Sequence, residues 1–271
     1  FTSAAQSQGV SQSTISQHVS RLEEQLGTRL LARSTKSVRL TEDGMALIGL
    51  ARQLLQCEDS ILSRFRQETP RGTIRLGVTE DLLLTRFPEI LGTFRASHPS
   101  LQITMTVGLS AYLARLLDQG ELDVWCGMRR TTETRGQKLW TEDMRWYAPT
   151  GTEFPAEQSI PLVTFPDGSV TRRLAIETLN KAGRAWHLAF TSGSLGALLA
   201  AVRAGYGVTP QPAFLRNAEH LPHCAPGLLP EMPQVEFIAS TRHQTAQGPE
   251  ELLIRTLCAH IPRLQPDLLP L

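Results

Sequence analysis

The sequence predicts an α/β protein with an all-α winged helix-turn-helix head, a long linker helix and a two-lobed body. Three observations lead to this prediction. Residues 1–44 place small residues, a glycine turn and a capping serine where two helices must meet. Residues 42–68 contain no proline, as a long helix requires. From residue 73 onward, strand-like and helix-like segments alternate.

The head begins with a helix-turn-helix pattern. Ala4 and Ala5 permit close contact between helices, Gly9 suits the turn, and Ser11 can cap the second helix, which ends at Gly27. The apolar residues predict a buried stripe on that helix, and they are Val10, Ile15, Val19, Leu22 and Leu26. The second helix of such a motif lies in the major groove of DNA. The candidate base-contacting residues are therefore Ser11, Gln12, Ser13, Thr14, Ser16, Gln17, His18 and Arg21.

A short polar hairpin is predicted after this helix. Leu30 and Leu31 lead into a turn over residues 33–37, and residues 38–40 return. A hairpin beside a recognition helix forms a wing, whose side chains contact phosphate without selecting a sequence. The candidate phosphate-contacting residues are Arg33, Thr35, Lys36 and Arg39. Thr41 can cap the helix that follows.

An ordinary pair of surface helices is the alternative interpretation of the head, and charge does not decide between the two. Residues 1–44 carry five basic and four acidic side chains, which give a net charge of only +1. The whole chain also has a net charge of +1. The combination of small residues, turn, cap and wing favours DNA binding.

The predicted linker helix and its hinge span residues 45–72. Its heptad-spaced apolar residues are Leu47, Leu50, Leu54, Cys57 and Ile61. Such a seam must be buried, either against the head of the same chain or against a second copy of the chain. The spacing favours a dimeric coiled coil, which would set two heads about one DNA turn apart or a multiple of it. Residues 69–72 contain Pro70 and Gly72 and predict a hinge.

Two α/β units follow the hinge. The first has predicted strands at 73–78, 101–107 and 123–127 and predicted helices at 82–96 and 112–118. The second has predicted strands at 161–165, 187–190 and 235–239 and predicted helices at 172–182 and 195–204. A last helix at 249–260 is expected to return to the first unit. This alternation predicts a mostly parallel sheet with helices on both faces, divided into lobe I (73–150 and 243–271) and lobe II (151–242).

A ligand is expected between the lobes, because ligands of open α/β sheets bind at strand carboxyl ends near helix N-termini. The candidate ligand-contacting residues are Thr79, Glu80, Asp81, Ser110, Arg129, Phe165, Thr191, Ser192, Gly193 and Ser194. Glu80 and Asp81 can simply complement a helix macrodipole. If they face the cleft, they repel carboxylates and favour a hydroxylated or cationic ligand. If Arg129 points into the cleft, its positive charge offsets these acids. Alternatively, Arg129 lies in a solvated loop after the third strand.

Composition and motifs exclude several classes of protein. The chain of 271 residues is 41% hydrophobic and 20% charged, as in soluble globular proteins. Its four cysteines lie far apart without a CxxC pair, which predicts reduced thiols in a cytoplasmic protein. The sequence shows neither a signal peptide nor a membrane span, so a periplasmic receptor and a membrane partner are disfavoured. Without a GxSxG, HExxH or Walker motif, or metal-ligand spacing, we expect no enzymatic activity, metal or cofactor.

The chain resembles the LysR-type transcriptional regulators. The resemblance is dense over residues 1–44, and residues 120–124 and 201–208 match the family's effector domain, which is itself similar to periplasmic binding proteins. Asp81 and residues 165–168 and 172–186 resemble the LrhA/HexA/PecT subgroup. The resemblance implies that residues precede Phe1 and that dimers associate into tetramers, with RNA polymerase as a candidate partner. Peroxide-sensing members use a cysteine pair in the second lobe, where this chain has only Cys224.

The leading hypothesis is therefore a cytoplasmic regulator that binds double-stranded DNA as a homo-oligomer and responds to a small-molecule effector. The effector would shift the closure of the lobes and with it the spacing of the heads. The alternative is a solute-binding protein without transcriptional output, which explains the lobes and leaves the head unexplained. An enzyme on an α/β scaffold is the third hypothesis, and the motifs do not support it.

Overall fold

The computed structural model describes residues 5, 9–33, 38–48, 50–51, 54, 71–216, 224, 227–242 and 248–260. The chain divides into two compact units, residues 1–61 with the head and residues 62–271 with the α/β body. Within the described ranges, no helix combines the length and the hydropathy that crossing a membrane requires.

The polar face of the head lies on helix α1, Gln12–Leu26. The Ser11 hydroxyl accepts a hydrogen bond from the Thr14 N–H at 3.1 Å and so fixes the start of the helix. Gly27 ends the helix in the left-handed region at φ 66°, a conformation that glycine adopts without steric cost. Both caps confirm the sequence prediction.

The apolar side of α1 differs from the prediction of a buried stripe. No residue of α1 is buried. Val10, Leu22 and Leu26 are 41, 39 and 48% exposed. The expectation of full burial was wrong, because a unit this small has too little interior to cover an entire helix face.

The wing is present as two antiparallel strands, β1 (Leu31–Arg33) and β2 (Val38–Leu40). The Glu23 carboxylate accepts hydrogen bonds from the N–H groups of Leu30 at 2.9 Å and Leu31 at 3.1 Å. These two bonds attach the wing to α1 and confirm the predicted hairpin. The turn between the strands, with Thr35 and Lys36, lies outside the described residues.

The linker helix starts where the sequence predicts it. The Thr41 hydroxyl accepts a hydrogen bond from the Gly44 N–H at 3.0 Å, and residues 42–48, 50, 51 and 54 are helical. Gly44 has no room for a side chain, since a Cβ atom there would lie 2.1 Å from the carbonyl oxygen of Leu30. The later part of the predicted helix, with Cys57 and Ile61, and hinge residues 69–70 lie outside the described residues.

A mixed sheet forms the centre of lobe I. Five strands of the described part lie in the order β4–β3–β5–β11–β6, namely Leu101–Val107, Gly72–Val78, Val124–Arg130, Val235–Thr241 and Gln137–Glu142. Strand β3 pairs in parallel with β4 and β5, whereas β11 is antiparallel to β5 and β6. Within the lobe I sheet, the prediction of mostly parallel strands is therefore confirmed for β3, β4 and β5 and not for β11 and β6.

Strand β11 corrects the sequence-based placement of residues 235–239, which were expected in lobe II. The structure places this strand inside the lobe I sheet, with Val235 opposite Arg130 and Thr241 opposite Val124. Its residues are buried almost continuously, as a strand with neighbours on both edges and layers on both faces should be. The alternation of strands and helices along the chain carries no information about such a long-range antiparallel return.

Helices cover the lobe I sheet: α2 (Phe87–Ser97), α3 (Ser110–Asp118) and α6 (Pro249–Ala259). One helix was predicted over 82–96, but the structure has a 3₁₀ helix, Glu80–Leu84, followed by α2. Pro88 lies in the first turn of α2, where its missing N–H costs no hydrogen bond. Helix α6 packs on α2 and β3, which confirms that the chain returns to lobe I.

Lobe II contains the parallel strands β8 (Ile160–Thr164) and β9 (Trp186–Thr191) with helices α4 (Val170–Lys181) and α5 (Leu195–Arg203). These elements confirm the predicted ones. The antiparallel strands β7 (Met144–Tyr147) and β10 (Thr209–Pro212), like β6, were not predicted. Asp143 joins β6 to β7, and its backbone carbonyl accepts a hydrogen bond from the Ala213 N–H at 2.8 Å. One apolar core continues from lobe I into lobe II.

Candidate functional site

The first candidate site is the polar face of α1. The exposed residues of the predicted base-contacting set are Ser11, Gln12, Ser13, Gln17, His18 and Arg21, whereas Thr14 and Ser16 are half-buried. Ser11 is occupied as the helix cap, and its Oγ also lies 2.7 Å from the Ser13 Oγ and 2.8 Å from the Thr14 Oγ1. The helix therefore presents amide, imidazole and guanidinium groups to solvent, which are the donors and acceptors that can pair with base edges.

Helical geometry orders these residues further. Successive residues of an α-helix are about 100° apart, so residues at four-residue spacing form a row. Ser13, Gln17 and Arg21 form such a row opposite the apolar side of α1. On the wing, Arg39 is exposed on β2. The side chain of Arg33, together with Thr35 and Lys36, lies outside what the structure describes.

The second candidate site is a cavity of about 80 Å³ between the two lobes of the body, here called the lobe cavity. It is lined by Thr79, Glu80, Asp81, Val107, Gly108, Leu109, Ser110, Met128, Phe165, Ser169, Val170 and Gly193. Lobe I contributes the carboxyl ends of β3 and β4 and the starts of the 3₁₀ helix and α3. Lobe II contributes residues between β8 and α4 and residues before α5.

Six of the predicted ligand-contacting residues line the lobe cavity, namely Thr79, Glu80, Asp81, Ser110, Phe165 and Gly193. Thr191, Ser192 and Ser194 flank Gly193 in sequence but do not line the cavity. The lining also includes six residues that were not predicted from the sequence, namely Val107, Gly108, Leu109, Met128, Ser169 and Val170. The position of Val107 at the carboxyl end of β4 was a usable signal. Ser169 was missed because its helix was predicted to start at 172, whereas its hydroxyl caps α4.

Arg129 is not part of the lobe cavity, which corrects the expectation that it could offset the acids. It lies within β5 rather than after it, and its guanidinium donates to the Glu236 carboxylate at 2.6 Å. It also donates to the backbone carbonyls of Arg135 at 2.7 Å and Gly136 at 3.1 Å. The Arg129 side chain therefore holds β5 to β11 and to the segment that precedes β6.

Glu80 and Asp81 both face the cavity, which answers the question that the sequence left open. The Glu80 carboxylate accepts a hydrogen bond from the backbone N–H of Leu195, the first residue of α5, at 2.7 Å. The Asp81 carboxyl is buried, and its Oδ1 accepts a hydrogen bond from the Leu82 N–H at 2.9 Å. Burial, with the nearby charge of Glu80, raises the pKa of Asp81 to about 6.

In the described part of the chain, the cavity wall carries no compensating positive side chain, because none of its described lining residues is Lys, Arg or His. The nearby Arg172 is paired with Asp167 at 3.0 Å and donates to the Phe165 carbonyl at 3.3 Å. The remaining lining groups are apolar side chains, the hydroxyls of Thr79, Ser110 and Ser169, and glycine backbone. Such a wall accepts hydrogen bonds and attracts positive charge.

Two polar contacts join the lobes beside this cavity. One is the bond from Leu195 to Glu80. The other is a bidentate ion pair between Arg130 on β5 and Glu177 on α4, with N–O distances of 3.1 and 2.7 Å. Both contacts connect residues of different lobes, so they would be lost if the lobes moved apart.

Two protein-family models match the chain. Residues 1–45 match the bacterial regulatory helix-turn-helix proteins of the lysR family, and residues 67–263 match the LysR substrate binding domain. The HTH-type transcriptional regulator PecT of Dickeya dadantii is 30% identical over 219 residues, which cover 81% of this chain and 69% of PecT. A probable hydrogen peroxide-inducible genes activator of Mycobacterium avium is 31% identical over 223 residues, which cover 77% of this chain and 71% of that protein.

A solved structure extends the similarity to the fold of nearly the whole chain. A full-length OxyR variant from Pseudomonas aeruginosa superposes with a TM-score of 0.66 at 22% sequence identity. The match covers 96% of this chain and 88% of that one. The arrangement of a helix-turn-helix segment followed by a two-lobed α/β body is thus shared with a protein of low sequence identity.

Proposed function

The chain belongs to the LysR family of transcriptional regulators, and on that premise we propose that a small molecule bound in the lobe cavity controls its binding to DNA. The chain is a DNA-binding transcriptional regulator with a helix-turn-helix segment and a substrate-binding domain. The observation that carries the proposal is the lobe cavity, since its wall is built from both lobes. A ligand that touches both lobes changes the free energy of the closed arrangement relative to the open one.

The effector is a small hydroxylated or cationic molecule. Glu80 and Asp81 place two carboxyl groups on the cavity wall, and the lining residues that the structure describes include no basic side chain. Hydroxyl and ammonium groups can donate to these carboxyls, whereas a carboxylate ligand would be repelled. The apolar lining, with Val107, Met128 and Phe165, suits the carbon skeleton of such a molecule.

Sequence selectivity comes from α1, and general affinity from the wing. Ser13, Gln17 and Arg21 contact base edges, with Gln12, Ser16 and His18 beside them. Ser11 and Thr14 position the helix through the cap. Arg33, Thr35, Lys36 and Arg39 contact phosphates.

The protein acts as a homodimer joined through the linker helix. Leu50 and Leu54 lie on the predicted heptad seam and are 56 and 71% exposed. Apolar side chains so exposed at heptad spacing favour a second copy of the helix as their cover. We also propose that dimers associate into tetramers, that RNA polymerase is contacted at promoters, and that the protein works in the cytoplasm, where its DNA lies.

Oxidation of a cysteine pair is not the signal that we propose. Cys126, Cys224 and Cys258 are free thiols among the described residues. Burial raises the pKa of Cys224 to about 11 and that of Cys126 further, which keeps these thiols protonated and weakly reactive. Cys57 lies outside the described residues. We also propose no enzymatic activity, because DNA binding and ligand binding suffice for this role.

Footprinting tests the proposal. A panel of small polyols, primary amines and carboxylates would first be screened for compounds that raise the unfolding temperature of the protein. Genomic fragments that the full chain selects would then be footprinted with the protein alone and with each of these compounds. We expect a polyol or an amine to change the protected region, and DNA binding to weaken steeply with salt. An unchanged footprint with every stabilising compound would defeat effector control while leaving DNA binding intact. Absence of salt-dependent binding would favour the alternative, a solute-binding protein without transcriptional output.

A further inference from the structure

The start of helix α5 is capped by the opposite lobe. Its N-cap residue, Ser194, makes no side-chain hydrogen bond to the helix. The first helical N–H, that of Leu195, is instead donated to the Glu80 carboxylate of lobe I at 2.7 Å. Leu195 is buried, so water cannot easily replace this acceptor. A carboxylate from a different lobe thus performs the task that a local Ser, Thr or Asp usually performs.

The same helix end is the natural position for a carboxylate ligand of the lobe cavity. Helix N-termini attract anions through free N–H groups and the helix dipole. Gly193, two residues before Leu195, lines the cavity. Thr79, on the opposite wall, is buried, and its hydroxyl lies within reach of the Asp81 carboxyl, with no further hydrogen-bond partner among the described residues. A buried hydroxyl that donates to one neighbour can still accept a hydrogen bond from a ligand in the cavity.

We propose that Glu80 is the specificity-determining residue of the lobe cavity, where it acts as an internal carboxylate ligand of α5. It excludes carboxylate effectors by occupying the N–H group that would bind them, and it ties lobe I to lobe II. This inference rests on the proposed function of the lobe cavity as the effector site. Asp81 adds a second carboxyl to the same wall, which strengthens the exclusion of anions.

Hydrogen exchange on the full chain tests this assignment without knowledge of the natural effector. In the Glu80→Ala variant, the amide of Leu195 loses its acceptor, and we expect its exchange to accelerate about 10-fold or more. Acetate is the probe, because its carboxylate can enter the space that the Glu80 side chain leaves. We expect acetate to restore protection at Leu195 in the variant and to have no effect on the wild type, with sodium chloride at equal ionic strength as the control.

Two further variants keep the test decisive. Glu157→Ala removes an exposed acid of lobe II. It should change neither the exchange of the Leu195 amide nor the response of this amide to acetate. Glu80→Gln retains an oxygen acceptor and removes the charge, so it should keep most of the protection at Leu195. If the alanine variant does not fold, Glu80→Gln still tests the contact. Exchange of the Leu195 amide in Glu80→Gln as fast as in an uncapped helix end would then overturn the assignment.

The outcomes separate clearly. Unchanged exchange at Leu195 in Glu80→Ala would overturn the contact, and fast exchange without rescue by acetate would overturn the exclusion of carboxylates. Neither result bears on the footprinting experiment, which measures whether effector binding changes DNA contacts. Conversely, an unresponsive footprint would remove effector control and leave the rescue by acetate intact.

Discussion

The recognition helix and the lobe cavity are built in opposite ways. The candidate base-contacting residues come from one continuous segment, α1 with its cap Ser11, and six of them are exposed. The lobe cavity takes its lining from five separate segments of the chain, and its central acid, Asp81, is buried. Exposed groups on one helix can change without disturbing the fold, whereas buried groups at a junction serve structure and binding together. Changes on the polar face of α1 should therefore alter DNA binding without altering stability, whereas changes to buried residues of the cavity should alter stability as well.

The largest expected effect is a loss of stability that is confined to the head. A Gly44→Ala change would place a Cβ atom 2.1 Å from the Leu30 carbonyl oxygen, which we expect to destabilise the head by about 3 kcal/mol and to abolish DNA binding. Calorimetry should show a lower transition for residues 1–61 and an unchanged one for the body. Gly92→Ala is the control, since nothing lies within 4 Å of a Cβ atom there. An equal shift of both transitions would contradict the separation of the two units.

The second effect concerns the buried acid of the cavity. Because the pKa of Asp81 is raised to about 6, the folded body keeps a proton between pH 4 and 6 that the unfolded chain releases. The stability of the body should therefore fall as pH rises through this window, by about 3 kcal/mol in total, and stay level above it.

Asp81→Asn should remove this pH dependence of stability. Urea unfolding from pH 4 to 7 should therefore show that the variant is more stable than the wild type, by a difference that grows with pH. The exposed Glu157→Gln serves as the matched control. If the stabilities of the Asp81 variant and the wild type change with pH in the same way, Asp81 ionises normally.

The third effect tests the tolerance of the head. Arg21→Ala should lower affinity for a selected DNA site about 10- to 100-fold, because a guanidinium in the major groove contributes about 1–3 kcal/mol. The unfolding temperature should stay unchanged, since Arg21 is exposed. Arg255→Ala, which removes an exposed arginine from α6 in the body, is the control in a fluorescence anisotropy titration. Equal losses for both variants would place the DNA contact elsewhere.

The smallest effect lies at the junction of the lobes. The Arg130 and Glu177 side chains are 28 and 36% exposed, so solvent screens their attraction. A double-mutant cycle with Arg130→Ala and Glu177→Ala should give a coupling energy below about 1 kcal/mol in urea unfolding. A coupling of several kcal/mol would show that this ion pair, rather than the contact of Glu80 with α5, dominates the closed arrangement.

Local signals account for the elements that were predicted well. Ser11 and Gly27 set the two ends of α1 through interactions within four residues, and the alternation after residue 73 located β3, β4 and β5. Strands β6, β7 and β10 were missed, because they are short and pair with segments distant in sequence. Arg129 was misplaced for the same reason, since its partner Glu236 is 107 residues away.

The sequence by itself determined the family, the caps of the recognition helix and the residue types on its polar face, because all of these depend on neighbours along the chain. It also identified half of the cavity lining, since residues that follow strands at a shared sheet edge come together in any such fold. The tertiary structure alone decided that β11 joins the lobe I sheet and that Arg129 is held by Glu236. It also decided that Glu80 reaches the start of α5. Each of these contacts joins segments more than 90 residues apart. The free energy of such a contact depends on packing and burial that no local pattern encodes.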